Sequence, residues 1–152
     1  MSLTLTAARP VAASPDAVWS ALTDADRWER IARKRDPDLA RRPPGPVDEG
    51  TRWTGTFAVA GKSRRVEAVL TRLDEPRALR LEADADGIAV TLDAAVAPED
   101  DGARLTLTTD ARGTSMGGRV AIKTMALVQG QMQKVLESQL DGFAKRVEAG
   151  PT

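Results

Sequence analysis

From Thr51 to Thr108 the chain alternates apolar and polar residues, and only short turns interrupt the pattern. Ile88, Val90, Leu92, Ala94 and Val96 hold a period of two without a break. Trp53, Phe57 and Val59 share one face before the Ala60-Gly61-Lys62 turn. Leu79 and Leu81, then Leu105 and Leu107, repeat the alternation. Successive side chains of a strand point to opposite faces, so this pattern predicts strands with one apolar side. Asp74-Glu75-Pro76, Asp86-Gly87 and Pro98–Gly102 are too short for a parallel crossover, which needs roughly a dozen residues. The middle of the chain is therefore an antiparallel meander.

The flanks complete the architecture. Leu3, Leu5 and Ala7 alternate with Thr4 and Thr6, which predicts a first strand over about Leu3–Val11, with Pro10 at an outer position or a bulge. Ser14-Pro15-Asp16 carries the residues that open a helix: a capping hydroxyl, a first-turn proline and an acid at the positive end of the dipole. Val18 and Leu22 give this short helix an apolar face. Thr23 or Asp24 starts a second one, on which Trp28 and Ile31 lie three apart. Residues 33–50 are basic and proline-rich, and predict a loop with a short edge strand around Leu39–Arg42. Strands follow over Thr51–Ala60 and Ser63–Leu73. In the last segment the period changes. Met125, Val128, Met132, Val135, Leu136, Leu140 and Phe143 recur at three and four, which predicts one long amphipathic helix from about Gly118 to just before Gly150-Pro151. Thirty residues of helix would reach about 45 Å. The order of elements is that of an α+β fold: a curved antiparallel sheet of six or seven strands, two short helices after the first strand, and a long C-terminal helix on one face. No repeat or linker divides the chain, so residues 1–152 read as one domain.

Composition removes whole classes of chemistry. The sequence has no histidine, no cysteine and no tyrosine. Ser-His-Asp and Cys-His catalysis, thiolate and imidazole metal sites, disulfides and phenolic acid–base groups are excluded. Lysine plus arginine number 22 and aspartate plus glutamate 22. That balance argues against nucleic acid as the partner. No run of 18 or more apolar residues is present, so no membrane insertion is expected. Met1–Thr6 lacks the basic and apolar blocks of a signal peptide, and a cytoplasmic location is the expectation. Glu99-Asp100-Asp101 lacks the alternating spacing of a calcium loop, and Gly117-Gly118 lacks the Lys-Ser/Thr of a phosphate loop. Neither a metal nor another cofactor is expected. Met116-Gly117-Gly118 reads instead as a helix entry close to the sheet.

Val11-Ala12-Ala13-Ser14-Pro15-Asp16-Ala17-Val18-Trp19-Ser20-Ala21-Leu22-Thr23-Asp24, followed by Asp26-Arg27-Trp28, resembles the opening of the START-like superfamily. Gly50-Thr51-Arg52-Trp53 and Leu73-Asp74-Glu75-Pro76-Arg77-Ala78-Leu79 resemble its middle. The group includes plant pathogenesis-related allergens, polyketide cyclases and dehydrases, and a component of carbon monoxide dehydrogenase. The resemblance implies a helix-grip fold with a hollow between sheet and C-terminal helix. Members use that hollow for lipids, sterols and aromatic polyketides, and some use it as an active site. Co-chaperone and ribosome-associated proteins belong to it too. Fold does not fix activity, so the residues must decide.

Three readings follow. The first is binding of a small apolar or amphipathic molecule without chemistry. Its candidate contacts are Trp28, Ile31, Trp53 and Phe57 on the aromatic side, and Met116, Met125, Val128 and Met132 as an adaptable wall. Each of these is also a plausible core residue, as Trp19 is. The second reading is a cyclase- or dehydrase-like enzyme. Glu67, paired with Arg65 or Arg52, is then the remaining proton-transfer group. Glu67 shares the alternation of Val69 and Leu73, so its strand face is open to either assignment. The third reading is a protein partner for the basic stretch. Residues 27–42 carry seven basic side chains against Glu29, Asp36 and Asp38, while residues 81–103 carry seven acids and no base. Arg33, Lys34 and Arg35 would form the contact.

Overall fold

The computed structural model describes residues 2–150. The strands are β1 (Ser2–Val11), β2 (Ala40–Arg42), β3 (Arg52–Val59), β4 (Lys62–Asp74), β5 (Ala78–Ala85), β6 (Ile88–Glu99) and β7 (Gly102–Gly113). They form one seven-stranded sheet in the order β1-β7-β6-β5-β4-β3-β2. All pairings are antiparallel. The meander expected from the alternation is β3 to β7, and the short strand at Ala40–Arg42 is present. Ala60-Gly61 and Asp86-Gly87 place both turn residues at positive φ. That is the mirror-image turn whose twist suits a two-residue hairpin.

The helices are α1 (Pro15–Leu22), α2 (Ala25–Ala32), α3 (Met116–Ala126) and α4 (Gln129–Glu148). The two short ones open as their sequences require. Ser14 Oγ accepts from the Ala17 amide and the Asp24 carboxylate from the Arg27 amide.

The single long helix is corrected to two. Backbone geometry leaves the helix at Val128, with φ −114° and ψ 24°. The reason is the surface beneath. α3 rests on β7, β1 and β6, whereas α4 runs along β1 and reaches α1. One straight rod cannot follow both directions. The 20 residues of α4 span about 30 Å at 1.5 Å each. Gly130 is thus the second residue of α4 and not a mid-helix position.

Two apolar clusters form under these helices. Val11, Val18, Trp19, Val96, Leu140 and Phe143 belong to one, which makes Trp19 a core residue. Leu3, Ile88, Ala111, Ala121 and Ile122 make the other. α3 enters the second cluster close to the β5–β6 turn. A Cβ on Gly118 would overlap the Gly87 carbonyl oxygen, and Ser115 Oγ accepts from the Gly118 amide at 3.0 Å.

Polar bonds fasten α4 to β1. Gln133 Nε2 donates to the Thr6 carbonyl at 2.7 Å, and Glu148 accepts from the Ala12 amide at 2.9 Å. Arg9 Nε lies 3.2 Å from Asp141, which also pairs with Lys145 at 3.0 Å. The hydrogen bond from Lys145 holds the Asp141 carboxyl below the usual aspartate range. The Lys145 and Arg9 charges act in the same direction, against an opposing effect of burial. A depressed carboxyl adds stability above its unfolded pKa and loses it as pH falls through the folded value. The Tm gap between wild type and Asp141→Asn should therefore narrow as pH drops from the ordinary aspartate range downward. A gap that is constant with pH in thermal melts would refute this.

Candidate functional site

The apolar clusters leave a hollow of about 900 Å³ against the sheet. Its floor is the inward face of the meander: Trp53 and Phe57 on β3, Ala68 on β4, Leu81 on β5, Leu92 on β6 and Leu107 on β7. Leu22, Trp28 and Ala32 from α1 and α2 roof it, with Pro46 and Val47 from the loop before β3. Central-strand side chains normally disappear into a core. Leu81 and Leu92 stay half-buried because nothing fills the space above them.

Among the described residues, none from α3 or α4 lines the hollow. The expected wall, the C-terminal helix, is replaced by α2 and residues 39–47, since α4 sits above β1 at the far side of the sheet. The methionine wall is corrected with it. Met125 and Met132 pack against the Ile88–Ile122 cluster, and Met116 and Val128 are exposed at the start of α3 and at the helix break. Ile31 is exposed on α2 and does not line the hollow. Trp28, Trp53 and Phe57 do line it.

Glu67 is also corrected. Val66, Ala68 and Leu70 face the hollow, so Arg65, Glu67 and Val69 point the opposite way. On that outer face Glu67 pairs with Arg52 at 2.6 Å, both side chains being about half exposed. Leu73 lines the hollow although Val69 does not, because the ladder slips between Leu70 and Arg72. A bulge of that kind inverts which positions face inward. Neither Glu67 nor its arginine partner can act inside.

Four acids line the hollow, Asp24, Asp26, Glu29 and Glu75, and the buried one is Glu29, which the sequence did not single out. It is 4% exposed. Trp53 Nε1 donates to its Oε2 at 3.1 Å, Arg33 Nη2 to its Oε1 at 3.1 Å, and Arg41 Nε lies 3.2 Å from Oε2. A buried carboxylate is tolerated only with such company. Arg41 turns its Nη2 to Asp26, 2.8 Å away at the rim. Arg33 and Arg41, two members of the basic stretch, are thus spent on an internal acid. The one sequence cue to Glu29 was an acid placed among Arg27, Arg30 and Arg33. Its partners Arg41 and Trp53 come from other elements, which no local pattern reveals.

Two aromatics are fixed in place. Trp28 stacks on Phe143 with ring centroids 5.7 Å apart and donates its Nε1 to the Leu22 carbonyl at 2.8 Å. It remains 38% exposed, at the rim. A Cβ on Gly55 would lie 2.7 Å from the Phe57 ring, too close for contact, so the missing side chain lets the ring lie near the strand. The result is a mostly apolar chamber, with Asp24, Asp26, Glu29 and Arg41 contributed by α2, its cap and β2, and Glu75 by the β4–β5 turn. Among the described residues, no group of three or more acidic side chains is disposed to hold a metal ion, and no helix is long and apolar enough to cross a membrane.

Known structures share this architecture. An aromatase/cyclase from Streptomyces sp. R1128 aligns over the full length of both chains, with TM-score 0.72 and 17% identity. A protein of Thermus thermophilus aligns over 99% of this chain and 100% of its own, with TM-score 0.70 and 24% identity. Norcoclaurine synthase from Thalictrum flavum, in complex with dopamine and hydroxybenzaldehyde, covers 100% of this chain and 90% of its own, with TM-score 0.69 and 15% identity. At these identities the likeness is one of fold. No curated protein sequence matches the chain. The family model described as polyketide cyclase/dehydrase and lipid transport matches residues 2–148, and by that match over nearly its whole length the chain belongs to this family.

Proposed function

We propose that the protein binds a small apolar or amphipathic molecule, lipid-like or aromatic, in the hollow beneath α2, and performs no chemistry on it. One observation carries this reading: the middle of the sheet leaves Leu81 and Leu92 only partly buried around about 900 Å³ of space. Leaving apolar surface open costs roughly 25 cal/mol per Å², so a ligand that covers it gains that contribution. The volume lies within the range of ordinary small-molecule pockets, about 300–1,000 Å³. The family description includes lipid transport, and one structural relative holds two small aromatics. Absence of chemistry is supported by the state of the buried acid and of the acid expected from the sequence, while Asp24, Asp26 and Glu75 along the lining are exposed to solvent. Glu29 is engaged by Trp53, Arg33 and Arg41, and Glu67 lies on the outer face.

Protein isolated from its own host should carry a bound small molecule in native mass spectrometry. The ligand-free form should melt several degrees higher with a saturating apolar ligand, because binding only the folded state stabilises it. A preparation that is empty, and whose Tm is unmoved across fatty acids, sterols and polycyclic aromatics, would defeat the proposal.

A further inference from the structure

The hollow is mostly apolar and its charged lining is acidic apart from Arg41, so an acid end of an amphipathic ligand has one favourable place to sit. The groups there are not equally available. Glu29 already faces three donors. Arg41 is the one basic side chain lining the hollow among the described residues, and it is 19% exposed. Its Nε faces Glu29 and its Nη2 donates to Asp26, while its Nη1 has no protein acceptor among the described residues. Asp26 is 70% exposed. An ion pair with so wet a partner contributes about 0–1 kcal/mol and yields readily to a competitor.

We propose that Arg41 anchors a carboxylate on the bound molecule, and that Asp26 occupies that position when the hollow is empty. The ligand is then an apolar acid: an aliphatic or aromatic body in the chamber and an acid group at the α2 rim. This rests on the binding role proposed above. The chemistry favours an acid over a neutral head, because a guanidinium offers a planar fork that matches two carboxylate oxygens. Entry of the ligand acid swings Asp26 into water, where its exposure already places most of it. Asp24 and Glu75 also border the hollow. Both are exposed and negatively charged, so they disfavour an acid head at positions other than Arg41. Asp24 is itself occupied, capping α2 through the Arg27 amide.

Three probes with one tail separate the possibilities: dodecanoate, dodecanol and dodecylamine, titrated by calorimetry below their micelle or solubility limits. The wild type should bind dodecanoate tightest. Asp26→Asn, a substitution at an exposed rim position, should raise dodecanoate affinity about fivefold, the upper range for an exposed ion pair, and leave dodecanol unchanged. Arg41→Gln should erase the difference between acid and alcohol. Equal binding of all three probes, or a preference for the amine, overturns the anchor while the hollow remains a binding site. Binding of none of the three overturns the anchor, and overturns the binding role as well if sterols and polycyclic aromatics also leave the Tm unmoved.

Discussion

Gly118→Ala should lower folding stability by about 3 kcal/mol, the cost of forcing a group into a space that cannot give. The added methyl would fall on the Gly87 carbonyl oxygen, which is backbone at the β5–β6 turn and cannot rotate away. Gly87 O also accepts from the Thr114 amide at 2.8 Å, so moving it breaks the bond that seats α3. Gly117 is the internal control. Its Cβ direction meets nothing within 4 Å, and Gly117→Ala should be neutral or stabilising by up to about 1 kcal/mol. Urea denaturation of both variants tests the pair. Equal midpoints would show that the close approach at Gly118 is not what the chain depends on.

Glu29→Ala should cost a similar amount, about 3 kcal/mol, for a different reason. It strips the acceptor from Trp53 Nε1 and from two guanidinium groups at once. The loss is moderated because Arg33 is 42% exposed and finds water, and because Arg41 keeps Asp26. Trp53 Nε1 has no other protein acceptor among the described residues. Glu29→Gln restores an acceptor without the charge, and about half of the stability should return. Because Trp53 reports on the hollow directly, its fluorescence should shift in the alanine variant and much less in the glutamine one. A denaturation midpoint unchanged in Glu29→Ala would mean that these bonds contribute nothing net.

Period-two and period-three-or-four patterns are local, and wherever structure is set locally the sequence was readable. Strands β3 to β7, both short helices with their caps, and the brief strand at Ala40–Arg42 follow from neighbours within a few residues. The errors arise where distant surfaces decide. Nothing within 118–148 marks Val128 as a corner, because the change of direction is imposed by the surfaces under α3 and α4. The face of Glu67 depended on a slip in the ladder after Leu70. Even so, the Arg64-Val66-Ala68-Leu70 row is more apolar than the Arg65-Glu67-Val69-Thr71 row, and weighing the two rows would have turned Glu67 outward. Trp28, Trp53 and Phe57 were placed at the hollow by residue type. Glu29 and Arg41 were not, since their importance comes from meeting across a stretch of loop and strand.

The bonds from α4 to β1 have a consequence beyond anchoring the helix. An open sheet has two outermost strands, and a long bare one invites strand addition by another chain. β1 is such a strand, ten residues long and, among the described residues, paired only with β7. Gln133 takes the Thr6 carbonyl, Glu148 reaches the Ala12 amide just past the strand, and Pro10 has no N–H to offer. At the other margin β2 has three residues, two of them arginines, and Pro43 follows at once. Neither margin presents an uninterrupted template, which protects a protein with an open greasy interior from polymerising through its backbone.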